Sequence, residues 1–215
     1  MDFYLNDIVV MKKNHPCKKS NEWQIVRIGA DVKIKCLGCG AIIMMPRHDF
    51  NKKLKKNLSA KIIRPIEKKD NQAIKKLIQE TLEQYDGKKP GCAYFDESLN
   101  TMYEHYQNNN SVYLVVEVDG KIVGGCGIGP VANRPGLCEL QKMYFDPSIR
   151  GIGLSHKILR QALDFAIEHY QYCYIETFSN MVEANRFYQK QGFEKLLSPL
   201  SDEHPACDVW YLKKL

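Results

Sequence analysis

Arg150-Gly-Ile-Gly-Leu-Ser155 is the stretch on which the reading of this chain turns. Before it, Leu137 to Phe145 reads as a strand; after Gly153 an apolar-periodic run reads as a long helix to about Tyr170. Amides at a helix start have no internal partners and carry partial positive charge. Glycines let such a backbone approach an anion closely, so the hexapeptide suits a phosphate cradle. An ordinary turn leading into a helix is the plain alternative. The third glycine of a dinucleotide fingerprint is absent, and no Gly-Lys-Ser/Thr follows to make a P-loop.

The flanking elements alternate. Ile62 to Ile66 reads as a strand, and Asp70 as the cap of a helix to about Tyr85, with Ile74, Leu77, Ile78 and Leu82 at helical spacing. A second helix is expected over Glu97 to Gln107. Val112–Val118, Asp119-Gly120 and Lys121–Gly127 read as a hairpin. Tyr172–Thr177 is a strand, Glu183–Lys190 a helix, and Asp208–Leu212 a final strand. This is an α/β layered unit.

On these motifs the chain from about Lys61 to Leu215 resembles the Gcn5-related N-acetyltransferases (GNAT). Their Arg/Gln-x-x-Gly-x-Gly/Ala motif reads Arg150-x-x-Gly153-x-Ser155, with serine in the last place. Lys142-Met-Tyr-Phe-Asp-Pro147 is similar to the family's fourth strand and its exit. Ala184-Asn-Arg-Phe-Tyr-Gln-Lys-Gln-Gly-Phe193 is similar to its later Tyr-x-x-x-Gly-Phe motif. The resemblance implies a mixed central sheet with helices on both faces, and acetyl-CoA as donor. Met143, Tyr144 and Phe145 would meet the pantetheine arm. Amides of Arg150, Gly151, Ile152, Gly153, Leu154 and Ser155 would hold the pyrophosphate. An asparagine seven residues before the tyrosine often touches the cofactor; here that place is Met181, with Asn180 beside it and Asn185 later.

Acetyl transfer needs a neutral amine, and a free primary amine has a pKa near 10. A base must take a proton. Glu139 is the candidate on the strand before the cofactor site, with a surface charge as the plain alternative; Glu176 on the neighbouring strand is the second choice. A backbone amide near Phe145 could stabilise the oxyanion. The resemblance places Tyr188 to protonate the departing thiolate. Cys138 reads as a buried small hydrophobe rather than a nucleophile. The acceptor pocket is expected from the first two helices and the loops 129–136 and 198–205.

Residues 1–58 read as a separate small β unit, with 59–215 as the transferase. Short β-rich runs lie at Asp7–Met11, Trp23–Arg27, Asp31–Cys36 and Ala41–Met45, and Phe50–Lys61 reads as a short helix and linker. Residues 1–60 carry 12 Lys+Arg against 5 Asp+Glu, so the chain's whole net charge of +6 lies in this quarter. A solvated basic surface explains this, and nucleic-acid binding stays open. His15-Pro-Cys17 and Cys36-Leu-Gly-Cys39-Gly40 offer a zinc set, with His15 or His48 as the fourth ligand beside Cys17, Cys36 and Cys39. Reduced thiols and a redox pair are the alternatives. The whole stretch resembles a bacterial domain of unknown function numbered 951, which implies no activity.

The composition, 44% hydrophobic and 26% charged over 215 residues, excludes a disordered chain and a fibrous repeat. No apolar run of about 18 residues exists for a membrane span, and the N-terminus lacks a secretory pattern, so a cytoplasmic protein is expected. Two functions follow. One is an acetyl-CoA-dependent N-acetyltransferase, an acyltransferase acting on a small-molecule or protein amine. The other is a nucleic-acid- or ribosome-associated binding protein whose second half only senses acetyl-CoA.

Overall fold

The computed structural model describes residues 3–59, 61–108, 110–149 and 153–215. The chain divides into two compact units, Met1–Lys61 with Val118–Gly120, and Ile62–Glu117 with Lys121–Leu215.

The first unit holds β1 (Ile8–Met11), β2 (Glu22–Ile28), β3 (Asp31–Cys36), β4 (Ile42–Pro46), α1 (Arg47–Lys53) and β5 (Leu54–Asn57). They form an antiparallel sheet in the order β4-β3-β2-β1-β5. Alternation does the sorting: Val9, Met11, Trp23, Ile25, Val32, Ile34 and Cys36 are buried with Phe50 of α1. The expected linker is corrected here. Residues 54–57 return as an edge strand, with Val9 opposite Asn57 and Val10 opposite Lys56. Its exposed Lys55 and Lys56 hid the strand from a hydrophobic pattern, and charge of this kind discourages edge pairing with other chains.

The second unit holds β6 (Lys61–Pro65), α2 (Asn71–Glu83), α3 (Met102–His105), β7 (Val112–Val118), β8 (Lys121–Pro130), β9 (Leu137–Phe145), α4 (Leu154–His169), β10 (Tyr172–Thr177), α5 (Val182–Lys190), β11 (Glu194–Leu196) and β12 (Val209–Lys214). The seven-stranded sheet runs β11-β12-β10-β9-β8-β7-β6. It is mixed: β9 and β10 are parallel, while β8 with β9 and β10 with β12 are antiparallel. Both faces of β7 are covered. Tyr113 and Val115 pack with Ile74, Ile78 and Leu82 of α2, and Leu114 and Val116 are buried as well. Each such side chain contributes about 1.5–3 kcal/mol. The α/β architecture expected from the sequence is the one observed.

One helical expectation is corrected and one refined. Glu97–Gln107 is not one helix but a 3-10 turn, Glu97–Asn100, followed by the single turn of α3. Thr101, at φ −135° and ψ 43°, breaks the run, and Leu99, Met102 and Tyr106 are all buried. Asp70 stands at the N-cap position of α2, as expected, but its side chain makes no capping hydrogen bond to that helix. It ends a 3-10 turn from Lys68, and its carboxylate accepts from the Glu67 amide at 2.8 Å and from Arg64 at 2.6 Å.

Candidate active site

β9 and β10 part. Their pairing runs from Leu137 opposite Tyr172 to Glu139 opposite Tyr174, while β9 continues to Phe145 and β10 to Thr177. A bulge on β9 sharpens the bend: the register with β8 shifts between Gly125 and Gly127, and Lys142 takes φ 50°. The Tyr113 hydroxyl donates to the Lys142 carbonyl at 2.9 Å and holds this turn.

The parting leaves a cleft of about 540 Å³. Met143, Tyr144 and Phe145 of β9 line it, with Gly153, Ser155 and His156 at the start of α4, and Arg186, Tyr188 and Lys190 of α5. Gly153 stands at the N-cap of α4 with φ 86°. A Cβ there would meet nothing within 4 Å, so the left-handed backbone, not crowding, calls for glycine. The start of α4 and the basic residues Arg186 and Lys190 of α5 thus border one cleft, a setting that suits a phosphate-bearing ligand. Arg150, Gly151 and Ile152 lie outside the described residues. Leu154 is buried in the core.

A second, narrower pocket of about 60 Å³ adjoins it, lined by Glu139, Gln141, Lys142, Glu176, His204 and Cys207 among others. Met143, Tyr144, Met181, Ala184 and Tyr188 line both cavities. Glu139 is 4% exposed. Burial drives its pKa up to about 7, against the Gln141 amide, which favours the carboxylate; nearby Glu176 adds to the rise. Gln141 Nε2 donates to Glu139 Oε2 at 3.1 Å, and the Tyr106 hydroxyl donates to Gln141 Oε1 at 2.7 Å.

His204 sits between carboxylates. Its Nε2 lies 3.3 Å from Asp96 Oδ2 and its Nδ1 lies 3.4 Å from Glu176 Oε2. Burial works against the imidazolium, but the bonds to Asp96 and Glu176 outweigh it and push the pKa up to about 10. Lys142 Nζ reaches Asp96 Oδ2 at 2.6 Å, and the Tyr174 hydroxyl donates to Glu176 Oε1 at 3.0 Å. Glu139, Glu176 and His204 offer ligand atoms within 4.8 Å of one another. With both ring nitrogens facing carboxylates, the imidazolium itself supplies the positive charge there.

The structure brings Glu139, Glu176 and Tyr188 of the sequence-derived candidates to one pocket. Tyr188 is buried, and burial holds its pKa well above the usual tyrosine range. Asn185 is not among the residues lining the cleft. Its amide donates to the carbonyls of Phe178 and Met181, both at 2.8 Å, and its Oδ1 accepts from Tyr211 at 2.9 Å. Asn180 donates to the Tyr85 carbonyl at 3.0 Å. Met181, in the position where the family often has asparagine, lines both cavities instead. Cys138 is fully buried, its thiol donating to the Tyr172 carbonyl at 3.4 Å.

The acetyltransferase (GNAT) family matches residues 74–193. The chain belongs to this family. The uncharacterized N-acetyltransferase YjgM of Escherichia coli is 36% identical over 158 residues, covering 72% of this chain and 95% of that one. The PaiA N-acetyltransferase of Thermoplasma acidophilum, solved with coenzyme A, shares the GNAT fold at a TM-score of 0.58 and 18% identity, over 73% of this chain and 99% of that one. The bacterial family of unknown function DUF951 matches residues 3–58. The uncharacterized protein YyzM of Bacillus subtilis is 58% identical over 57 residues there, covering 26% of this chain and 82% of YyzM.

Sequence reasoning gave no role to Asp96, Lys142 or His204 of this pocket. His204 does fall in the 198–205 loop named for the acceptor pocket, but no periodicity marked it. The 129–136 loop contributes nothing to the pocket lining. In the first unit His15, Cys17, Cys36 and Cys39 come together, with ligand atoms within 4.8 Å of one another. His48 is exposed and pairs with Asp49 at 3.1 Å. No helix among the described residues is long and apolar enough to cross a membrane.

Proposed function

We propose that this GNAT chain transfers the acetyl group of acetyl-CoA to a primary amine by direct attack in a ternary complex. The supporting observation is the junction: the larger cleft and the carboxylate pocket share Met143, Tyr144 and Tyr188. The donor lies in the larger cleft, with Met143, Tyr144 and Phe145 along its pantetheine arm and the start of α4 at its pyrophosphate. The amine enters the smaller pocket, whose volume admits an alkylammonium end rather than a whole bulky molecule.

Glu139 takes the ammonium proton; a base near pKa 7 holds that proton and releases it at neutral pH. Gln141 and Tyr106 orient it. The freed amine nitrogen bonds to the thioester carbonyl carbon, and the C–S bond then breaks. Tyr188, fully protonated at neutral pH, donates to the departing thiolate. The second proton of the attacking nitrogen, shed as the amide forms, returns through water to the tyrosinate, so that the products are the amide, the free thiol and the one proton held by Glu139. Lys142, Asp96, His204 and Glu176 form a charged chain along the pocket wall, in which His204, its pKa raised to about 10 by the neighbouring carboxylates, is already protonated and does not compete for that proton.

The test uses the full chain. Acetyl-CoA binding is measured by calorimetry, then coenzyme A release is followed with a panel of primary alkylamines and matching alcohols. Micromolar binding with amine-dependent release supports the reading. No acetyl-CoA binding, or release with alcohols and amines alike, overturns it.

A further inference from the structure

We propose that His15, Cys17, Cys36 and Cys39 form a structural zinc site that closes the first unit. The transferase chemistry makes no use of these four residues. They come from two segments: the stretch between β1 and β2, and the end of β3 with the turn that follows it.

The geometry fits a tetrahedral ion. Zn–S bonds of about 2.3 Å at tetrahedral angles put neighbouring sulfurs about 3.8 Å apart, and a sulfur and an imidazole nitrogen about 3.6 Å apart. Cys17 Sγ and Cys36 Sγ are 3.9 Å apart, and Cys39 Sγ lies 3.7 Å from His15 Nδ1. All four ligand atoms fall within 4.8 Å of one another. Three thiols and one imidazole are the donor set that zinc takes in closed sites, with no position left for substrate.

The backbone is built for this approach. The Gly40 amide donates to the Cys36 carbonyl at 2.9 Å, closing the turn that sets Cys36 and Cys39 side by side. A Cβ on Gly38 would lie 2.8 Å from the Ser20 amide nitrogen, so only glycine lets this turn press against the segment that follows Cys17. The Lys19 amide points at Cys17 Sγ at 3.4 Å, as amides do around metal-bound thiolates.

There is also a need for the ion. Residues 12–21 join β1 to β2 without regular structure, and a core as small as this unit's is marginal without a staple. On binding, the three thiols release their protons to solvent and the ion ties the long connection to the sheet.

The test is metal analysis of the full chain, purified under reducing conditions without chelator. The expected content is about one zinc per chain. Cys39→Ser should hold less than about a tenth of that, and His48→Ala the full amount. Cobalt exchanged into the site should show tetrahedral thiolate bands. A second readout needs no variant: the His15 ring packs edge-on to Trp23 at 4.6 Å, so stripping and restoring zinc should change and restore tryptophan emission. Less than about a tenth of an equivalent in the wild type, with no emission change on zinc addition, overturns the site. So does a stoichiometric content of iron, or a Cys17–Cys36 disulfide in the freshly isolated protein.

Discussion

Gln141 donates its side-chain amide to Glu139 at 3.1 Å, from two residues further along the same face of β9. This bond favours the charged carboxylate, while burial favours the neutral acid; the balance leaves Glu139 near pKa 7. If Glu139 is the base, kcat/KM should rise with pH and level off above an inflection near 7. Gln141→Leu removes the bond that lowers the pKa, so the inflection should move up. A pH–rate profile of both proteins checks this, and an inflection that stays or moves down contradicts the assignment.

Glu139→Gln keeps the shape of the side chain but cannot take a proton. Turnover should fall by about 10²–10⁴-fold. Acetyl-CoA affinity should stay within about threefold, since Glu139 lines the smaller pocket only. Single-turnover kinetics beside calorimetry separate the two.

Tyr188→Phe removes one hydroxyl from the junction of the cavities and leaves the ring packed on Phe193 and Tyr211. Expected is a loss of about 10²-fold in kcat with acetyl-CoA binding intact. The loss should shrink with a donor whose leaving thiol is more acidic, because a stabler thiolate needs less help from an acid. Equal losses with both donors would remove Tyr188 from the acid role.

His204 stabilises the fold only while charged. Its folded pKa of about 10 lies above the ordinary histidine value near 6.5, so its contribution is complete below 6.5 and is lost as pH rises through about 10. Asp96, held down to about 2 against its own burial by His204 and Lys142, contributes above 3.8 and loses that contribution as pH falls through about 2. Wild type should therefore melt above His204→Gln at pH 6, and the gap should close towards pH 10.5. A melting series across pH reads it directly.

Gly153→Ala should cost about tenfold in acetyl-CoA affinity. No atom stands in the way of the new methyl; the strain comes from φ 86°, which alanine adopts at about 1–2 kcal/mol. Calorimetry measures the change, and an unchanged Kd would take the start of α4 out of the binding site.

Local patterns carried much of the fold. β9, β10 and α4 could be drawn because strand alternation and helical spacing are properties of neighbouring residues. β5 escaped because Lys55 and Lys56 give an edge strand a polar pattern. The segment 97–107 escaped because its apolar spacing suits a helix, while Thr101 breaks the run. In the candidate site, Glu139 was legible as an acid on the right strand, and Tyr188 through its motif. Asn185 was legible as a type only; its amide turned out to be occupied by the backbone of its own helix start and by Tyr211.

By itself the sequence determined that two units follow one another, that the second has the GNAT pattern, and that a glycine stands at the start of its long helix. These depend on contiguous residues, whose periodicity and turn chemistry act over a few bonds. Only the tertiary structure decided which charges meet. His204 and Asp96 are 108 positions apart, and Lys142 joins them from a bulge on β9. Buried charges must be paired to leave water, but any acid in the chain can serve as partner. The choice among them is made by where the sheet and its loops carry each side chain, and no local pattern records that.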